Sequence, residues 1–437
     1  MKSGPELLRS TIAYSALGQR ADPPIIARLM AMALETPGLL SLAAGFTDNA
    51  TLPADFIRSA LETLAARAGE PEHLQYGTNQ GRAGLRRALA ERVAAMDAAL
   101  APPGEAAAVP DAAALEAAAF VTNGSQQALY LAMQVLCEPG DIVLVDRPSY
   151  FVYLEMLRGL GARARSLPLG EDGRLDEIAL GRMLDALSAS GEAARVKAVY
   201  FVSYFSNPSG RSLDEDEKNT LAHALLSRGL AVPVVEDAAY RELYFDSEYK
   251  ARGVLSLPAW EAFPKLYTAT LTKPFATGLK TGFGICSDRE WLEKMLHVKG
   301  HHDFGSANFN QAVLEHALAA GDYDRQLARI RPVYAQKMGV LHGTLADEGL
   351  ASLGWKWRAP SGGLYLWLEA PRGLDTGAGS KFCHACIGAG VLYVPGDLCF
   401  GDDAPGNFIR LSYGVLGEGD LAEAARRFAG VARAFRA

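Results

Sequence analysis

This chain is short of positive charge, of long apolar runs and of cysteine. Its 437 residues carry 43 Lys and Arg against 50 Asp and Glu, a formal net charge of −7. The two signs are interspersed, which leaves no basic stripe for nucleic acid and no cationic face for an anionic membrane. No run of about 18 apolar residues occurs, so no membrane span is expected. The opening MKSGPELLRS lacks the apolar core and cleavage site of a signal peptide, and a cytoplasmic protein is expected. The five cysteines, Cys137, Cys286, Cys383, Cys386 and Cys399, are an odd number spread over a long chain, which argues against a disulfide framework. Cys383-His-Ala-Cys386 has CxxC spacing without a second pair, inside an apparent helix. It reads as buried small apolar side chains rather than as a metal or redox site, and no metal is expected.

What is present is enough apolar sequence, 49% of residues, to build two or more cores. Pro23 and Pro24 stand where a helix would start, and IIARLMAMALE follows with helical apolar spacing. Residues 53–68 and Gly84 to Ala95 read as amphipathic helices. Residues 97–119 are mostly alanine with three prolines and read as a surface insertion. From Phe120 onward, short β-rich runs (DIVLVD, VKAVYFVS, AVPVVED, KLYTATLT) alternate with helical segments. That alternation predicts an α/β fold, a largely parallel sheet with helices on both faces. After about residue 320 a long helical segment leads into WKWRAPSGGLYLWLEA, which reads as paired strands of a smaller α+β unit. The expected division is a large domain over 51–320 and a small one over 321–437, joined in space by residues 1–50.

In such a fold ligands sit beyond the carboxyl ends of the strands. Ser125 and Gln126 follow AAAFVTNG at the start of a helix, a position that suits either a phosphate or a plain helix cap. Tyr150 follows DIVLVDRP, Asn207-Pro-Ser-Gly follows VKAVYFVSYFS, and Asp237, with Tyr240 three residues on, follows VPVVE. A carboxylate at a buried strand end is costly unless a cation or several donors meet it. Lys273 follows LYTATLT, and Lys280 lies seven residues further along TKPFATGLKTGFG, with no acidic neighbour. A phosphate cradle, an aromatic plate, an amide, a carboxylate, a phenol and a lysine are together what pyridoxal 5′-phosphate requires.

The motifs LQYGTNQGRAGLRRALAER, VTNGSQQAL, DRPSY, NPSG, VEDAAY, TLTKPFATGLKTGFG and FIRLSYG carry a resemblance. From about Ile26 to Phe428 the chain resembles the fold-type I pyridoxal-phosphate enzymes, specifically the class I/II aminotransferases. Within these it is most similar to the group of 2-aminoadipate and kynurenine aminotransferases and the aminotransferase-like domains of MocR regulators. The resemblance implies a seven-stranded, mostly parallel sheet and the following roles. Lys273 would be the Schiff-base lysine and the base that moves the substrate proton. Asp237 would pair with the pyridinium nitrogen. Asn207 and Tyr240 would donate to the phenolic oxygen, and Tyr150 would stack on the ring. Ser125, Gln126, Thr270, Thr272 and Lys280 would hold the phosphate. Tyr76 would reach it from the neighbouring subunit of a homodimer, and Arg410 would grip the substrate α-carboxylate. Gly45 and Asn207 would line the substrate pocket.

Departures accompany the matches. Lys280 replaces the usual arginine and loses its two-pronged fork. Ala-Ala-Gly45-Phe-Thr-Asp replaces the commoner Gly-Gly-x-Pro, and His301-His302-Asp303 falls in a segment that often approaches the partner's site. The expected activity is transfer of an amino group between an L-amino acid and a 2-oxo acid by ping-pong kinetics. The alternative is another pyridoxal-phosphate reaction: elimination, replacement, cyclisation, decarboxylation or oxidation. A regulatory role of MocR type is disfavoured, since the resemblance starts near residue 26 and no basic stripe is present. Arg20 and Arg28 stand near the expected substrate pocket, with surface roles favoured over pairing with an acidic side chain.

Overall fold

The computed structural model describes residues 12–435 except 26, 28–30, 32–34, 68, 70 and 105–108. Arg28, Met32 and the expected starting point of the resemblance, Ile26, therefore lie outside the described residues. The strands in chain order are β1 (Leu40–Ser41), β2 (Ala119–Thr122), β3 (Ile142–Val145), β4 (Arg163–Ser166), β5 (Val196–Val202), β6 (Val234–Asp237) and β7 (Lys265–Thr270). They continue with β8 (Gly282–Cys286), β9 (Lys356–Trp357), β10 (Tyr365–Glu369), β11 (Val391–Leu392), β12 (Val394–Pro395) and β13 (Phe408–Ser412).

Seven strands form the main sheet in the order β2-β8-β7-β6-β5-β3-β4. Only β8 runs antiparallel to its neighbours, so the α/β reading holds and the sheet is mostly parallel. Its inner strands are buried on both faces: Ile142–Val145 is apolar throughout, and Val234–Asp237, which ends in two acids, is buried at every position. That is what a parallel sheet covered by helices on both sides requires. Val, Ile and aromatic side chains fill the two layers, one around Leu129, Leu154 and Met295, the other around Leu180, Leu221 and Trp260.

A second sheet, β12-β13-β10-β9, is antiparallel. WKWRAPSGGLYLWLEA supplies β9 and β10, as its alternation suggests. The amino-terminal segment is stitched to this region: β1 pairs with β11, Leu42 N–H donates to Leu392 O at 2.8 Å, and Ser412 N–H donates to Leu42 O at 2.7 Å. Residues 43–45 are thereby carried past the end of β13 toward the main sheet. A 26-residue helix, Asp322–Asp347, precedes the second sheet and accommodates Pro332 in its interior.

The Ala-rich stretch differs from its sequence reading at its start. Asp97 belongs to the helix Ala83–Ala98 and is buried, not part of a surface excursion. It is ion-paired to Arg241, accepts from Gly253 N–H at 3.1 Å and from Ser256 Oγ at 2.5 Å. A buried carboxylate with this many donors fixes the segment after Tyr240. The stretch ends in a short helix, Ala112–Ala118, capped by Asp111. Cys383 and Cys386 lie buried on the helix Lys381–Gly388. Among the described residues no helix is long and apolar enough to cross a membrane.

Candidate active site

The parallel strands β2, β3, β5, β6 and β7 end on one edge of the sheet, and the expected site residues follow those ends. β7 stops at Thr270, three residues before Lys273; β6 stops at Asp237; β5 stops at Val202, before Asn207. β8 starts at this edge, which places Lys280 here as well. A cavity of about 1510 Å³ opens there, and its wall includes Gln126, Tyr150, Asn207, Tyr240, Lys273, Lys280, Arg410 and Gly45. Residues up to 365 positions apart in sequence, from Gly45 to Arg410, are thus brought together.

Asp237 lies beneath this wall, 4% exposed. Successive side chains of a strand face opposite ways, and the two acids that end β6 illustrate it. Glu236 points to one side and is satisfied by the buried ammonium of Lys218 at 2.8 Å and by Val254 N–H at 2.7 Å. Asp237 points to the other and receives only Ala239 N–H at 3.0 Å and Tyr200 Oη–H at 3.2 Å. It makes no ion pair among the described residues. Burial pushes its carboxyl up to about 6, against the two hydrogen bonds.

Lys273 is half-buried, and burial draws its ammonium below the usual lysine range, with the charges of Arg410 and Lys280 acting in the same direction. Its Nζ donates to the carbonyl of Gly45. Tyr240 and Tyr150 are phenols held un-ionised, chiefly by burial. Arg410 is 1% exposed. It donates through Nη1 to Asn207 Oδ1 at 2.8 Å and through Nη2 to Ala43 O at 2.6 Å, while its buried Nε has no partner. Since arginine can only donate, Asn207 must present its oxygen to Arg410 and keep its N–H₂ free as a donor.

The cradle around Ser125 is built from backbone. Ser125 opens the helix Ser125–Leu136, and Gly124 before it has φ 73°. A Cβ on Gly282 would lie 2.4 Å from Ser125 N, so only glycine lets β8 pass this close to the helix start. Thr270 and Thr272 sit beside it, Thr272 N–H donating to Thr270 Oγ1 at 3.1 Å. Ser125, Thr270 and Thr272 do not line the large cavity, whereas Lys280 does, exposed and in the left-handed region at φ 50°. Its ammonium has no partner among the described residues. Free helix N–H groups, two hydroxyls that donate only over a long 3.4 Å to Thr281 O, and an unneutralised lysine are a donor set suited to a phosphate.

Tyr76 is the expected site residue that this chain does not bring in. It is 80% exposed, lies off the cavity wall, and packs edge-on against Phe304 at 5.9 Å. Tyr365 was missed in the sequence, and Asp303, noted there only within a segment that often approaches the partner's site, takes a different role. Asp303 accepts from Asn123 and Gln127 side chains, each at 2.9 Å, and from buried Lys299 at 3.0 Å, bracing the helix that starts at Ser125. Tyr365 lies between Tyr240, Arg410 and Gly45. Arg20 closes the outer rim, its Nε and Nη2 capping the carbonyls of Gly159 and Leu160 at 3.1 and 3.3 Å.

A lysine of depressed basicity, a buried carboxylate lacking a cation, two donors at a common wall and a phosphate cradle fit pyridoxal phosphate as a set. Fold and site together define a pyridoxal-phosphate enzyme of fold type I. The sequence profile described as "Aminotransferase class I and II" matches residues 37–428, and the chain belongs to that family. The 2-aminoadipate transaminase of Thermus thermophilus is 30% identical over 394 residues, covering 90% of each chain. Aromatic-amino-acid aminotransferase 1 of Thermococcus litoralis is 29% identical over 419 residues, 95% of this chain and 92% of that one. The crystal structure of a Pyrococcus horikoshii kynurenine aminotransferase, in complex with PMP, superposes with a TM-score of 0.83 at 26% identity, over 96% of this chain and 97% of that one. The protein is a pyridoxal-phosphate-dependent aminotransferase.

Proposed function

We propose that the protein moves an amino group between an L-amino acid of apolar or aromatic side chain and a 2-oxo acid, with Lys273 as the residue joined to the cofactor. The observation that carries this is the convergence of Lys273, Asn207, Tyr240 and Arg410 on one cavity above the unneutralised Asp237. When bound, pyridoxal phosphate supplies a carbonyl that takes up an amino group and a ring that accepts the electron pair left at the substrate Cα. Asp237 is the residue that would face the ring nitrogen, and a cation there holds its carboxylate ionised. Asn207 and Tyr240 would donate to the ring oxygen, and Tyr150 would lie on the ring. Ser125, Gln126, Thr270, Thr272 and Lys280 would hold the phosphate.

Arg410 grips the substrate α-carboxylate. Two of its nitrogens are already tied down, so little orientational freedom is lost when substrate binds. Lys273 Nζ would be the group that takes the Cα proton and holds it for return. Burial lowers its basicity, the direction a proton acceptor needs. The substrate side chain extends toward Pro23, Pro24, Ile25, Phe46, Val152 and Met156. Arg20 on that wall has committed Nε and Nη2 to carbonyls while keeping its charge, and Asp22, Glu155 and Arg158 share the rim, so the apolar stretch from Pro23 to Ile25 with Phe46, Val152 and Met156 is what favours an apolar group.

The working unit is proposed to be a homodimer in which Tyr76 serves the partner's phosphate cradle. Tyr76, Phe304 and Leu74 are 80%, 69% and 70% exposed, an apolar patch that a partner would cover. Residues 321–437 with 1–50 are proposed as the smaller domain. The test is a panel of amino acids and 2-oxo acids. An amino acid alone should release one equivalent of 2-oxo acid per site and no ammonia, with ping-pong kinetics when both substrates are present. Phenylalanine or leucine should exceed aspartate in kcat/KM by about tenfold or more. Continuous ammonia release, or a preference for aspartate, contradicts the reading.

A further inference from the structure

Tyr365 occupies the crossing point of the site and is given no role by the residues above. It is 2% exposed on β10, and β10 pairs antiparallel with β13 in the register Tyr365↔Ser412 and Trp367↔Arg410. Residues 365 and 410 are therefore diagonal neighbours on one face. The ring of Tyr365 lies under the guanidinium of Arg410, with Cζ 4.3 Å from the ring centre. Its hydroxyl is 3.2 Å from the hydroxyl of Tyr240. A Cβ on Gly45 would stand 2.8 Å from that same oxygen, and the Gly45 carbonyl holds Lys273 Nζ.

The protons at this crossing can be counted. Tyr240 owns one hydroxyl proton. If it goes into the cavity, the contact with Tyr365 has to be filled by the proton of Tyr365. The other groups facing Tyr240 are Tyr150 and Arg410, and those facing Lys273 are Tyr365, Arg410 and Lys280. Among the described residues no other donor reaches the Tyr240 oxygen, so the direction of its proton rests on Tyr365.

We propose that Tyr365 is a positioning residue with two contacts: its hydroxyl donates to Tyr240 and commits the Tyr240 proton to the cavity, while its ring face holds Arg410 in place. This rests on the aminotransferase reading above. A Tyr240 phenol whose oxygen accepts a hydrogen bond from Tyr365 is a stronger donor to a ring oxygen. Stronger donation favours the state in which the cofactor-linked Lys273 nitrogen has lost its proton, so it lowers the pH at which that loss occurs.

Tyr365→Phe keeps the ring under Arg410 and removes the proton. In the holoenzyme, the midpoint of the visible-absorbance pH titration should rise by about 0.5–1 pH unit, the worth of one hydrogen bond. The amino-acid KM should stay within about twofold while kcat falls about 3–10-fold. Tyr365→Leu also removes the ring, and KM should then rise about tenfold. On a Tyr240→Phe background, Tyr365→Phe should shift the midpoint no further. Gly45→Ala, which crowds the Tyr365 hydroxyl without deleting it, should raise the midpoint too, and it serves as the test if Tyr365→Phe does not fold. An unmoved midpoint in Tyr365→Phe, or an equal shift on the Tyr240→Phe background, overturns the proposal. A wild-type protein that shows no cofactor band at all would instead overturn the reading on which it rests.

Discussion

Replacing Asp237 by asparagine should make the cofactor-free protein more stable. The carboxyl is 4% exposed, and its pKa is raised from 3.8 to about 6 in the folded state. Below about pH 4 both folded and unfolded chains hold the proton, and the group contributes nothing to the balance. Between about pH 4 and pH 6 the unfolded chain releases its proton first, so stability is lost as pH rises, and above about pH 6 the loss is constant. Its full size is roughly two pKa units, about 3 kcal/mol, and at about pH 4.5 only about 1 kcal/mol of it has developed. Asparagine removes the penalty. It can still accept from Ala239 N–H, while its amide has to donate to the Tyr200 oxygen, a rearrangement costing about 1 kcal/mol. The net expectation is about 2 kcal/mol of stabilisation at about pH 7.5 and none at about pH 4.5. Urea unfolding of apo wild type and apo Asp237→Asn at both pH values measures it. The same variant should bind pyridoxal phosphate more weakly and turn over at least about 100-fold more slowly, since the charge held for the ring nitrogen is gone. Apo Asp237→Asn that is less stable than wild type at the higher pH would refute the claim that this carboxylate is buried at a cost, for a cation it does not find within the chain.

Three other perturbations separate the remaining roles. Arg410→Lys should raise the amino-acid KM by about 10–100-fold, because a single ammonium replaces a fork already oriented by Asn207 and Ala43; unchanged KM would remove Arg410 from the carboxylate site. Lys280→Arg should tighten cofactor binding about 2–10-fold in equilibrium titration of the apoenzyme, through a two-pronged phosphate contact. Weaker binding would mean that the left-handed backbone at Lys280 already places its ammonium optimally. Tyr76→Ala with Phe304→Ala should lower the dimer fraction in sedimentation at about 1 μM and weaken cofactor binding with it, the loss of an aromatic anchor costing about 2 kcal/mol; a monomeric wild type would contradict the shared site.

Much of the site was legible because several of its residues stand at or just after the end of a recognisable strand. Lys273, Asp237 and Asn207 stand just after short β-rich runs, and in a parallel sheet those ends share one edge. The buried run Ile142–Val145 could be read as a parallel strand because it is apolar on both faces and does not alternate. Tyr365 was not legible, since its importance comes from the register that sets it diagonally beside Arg410. Register depends on pairing across some 45 positions and leaves no local mark. The bracing role of Asp303, named in the sequence only as part of a segment near the partner's site, was hidden for a similar reason: its partners Asn123 and Gln127 lie 180 and 176 positions away. Asp97 was hidden by composition. The alanines that follow it suggest a solvated excursion, but the helix Ala83–Ala98 extends far enough to bury it against Arg241 and Ser256. Tyr76 remains the residue for which one chain holds no site, although the motif around it matches the family.

The most direct test of the central claim is covalent. Reduction of the holoenzyme with borohydride, followed by peptide mass spectrometry, fixes the cofactor to the lysine that carries it. The expected result is a single phosphopyridoxyl-modified peptide bearing the label on Lys273, absent after reaction with an amino acid before reduction. Label on Lys280 or another lysine, or full turnover by Lys273→Ala, would contradict it.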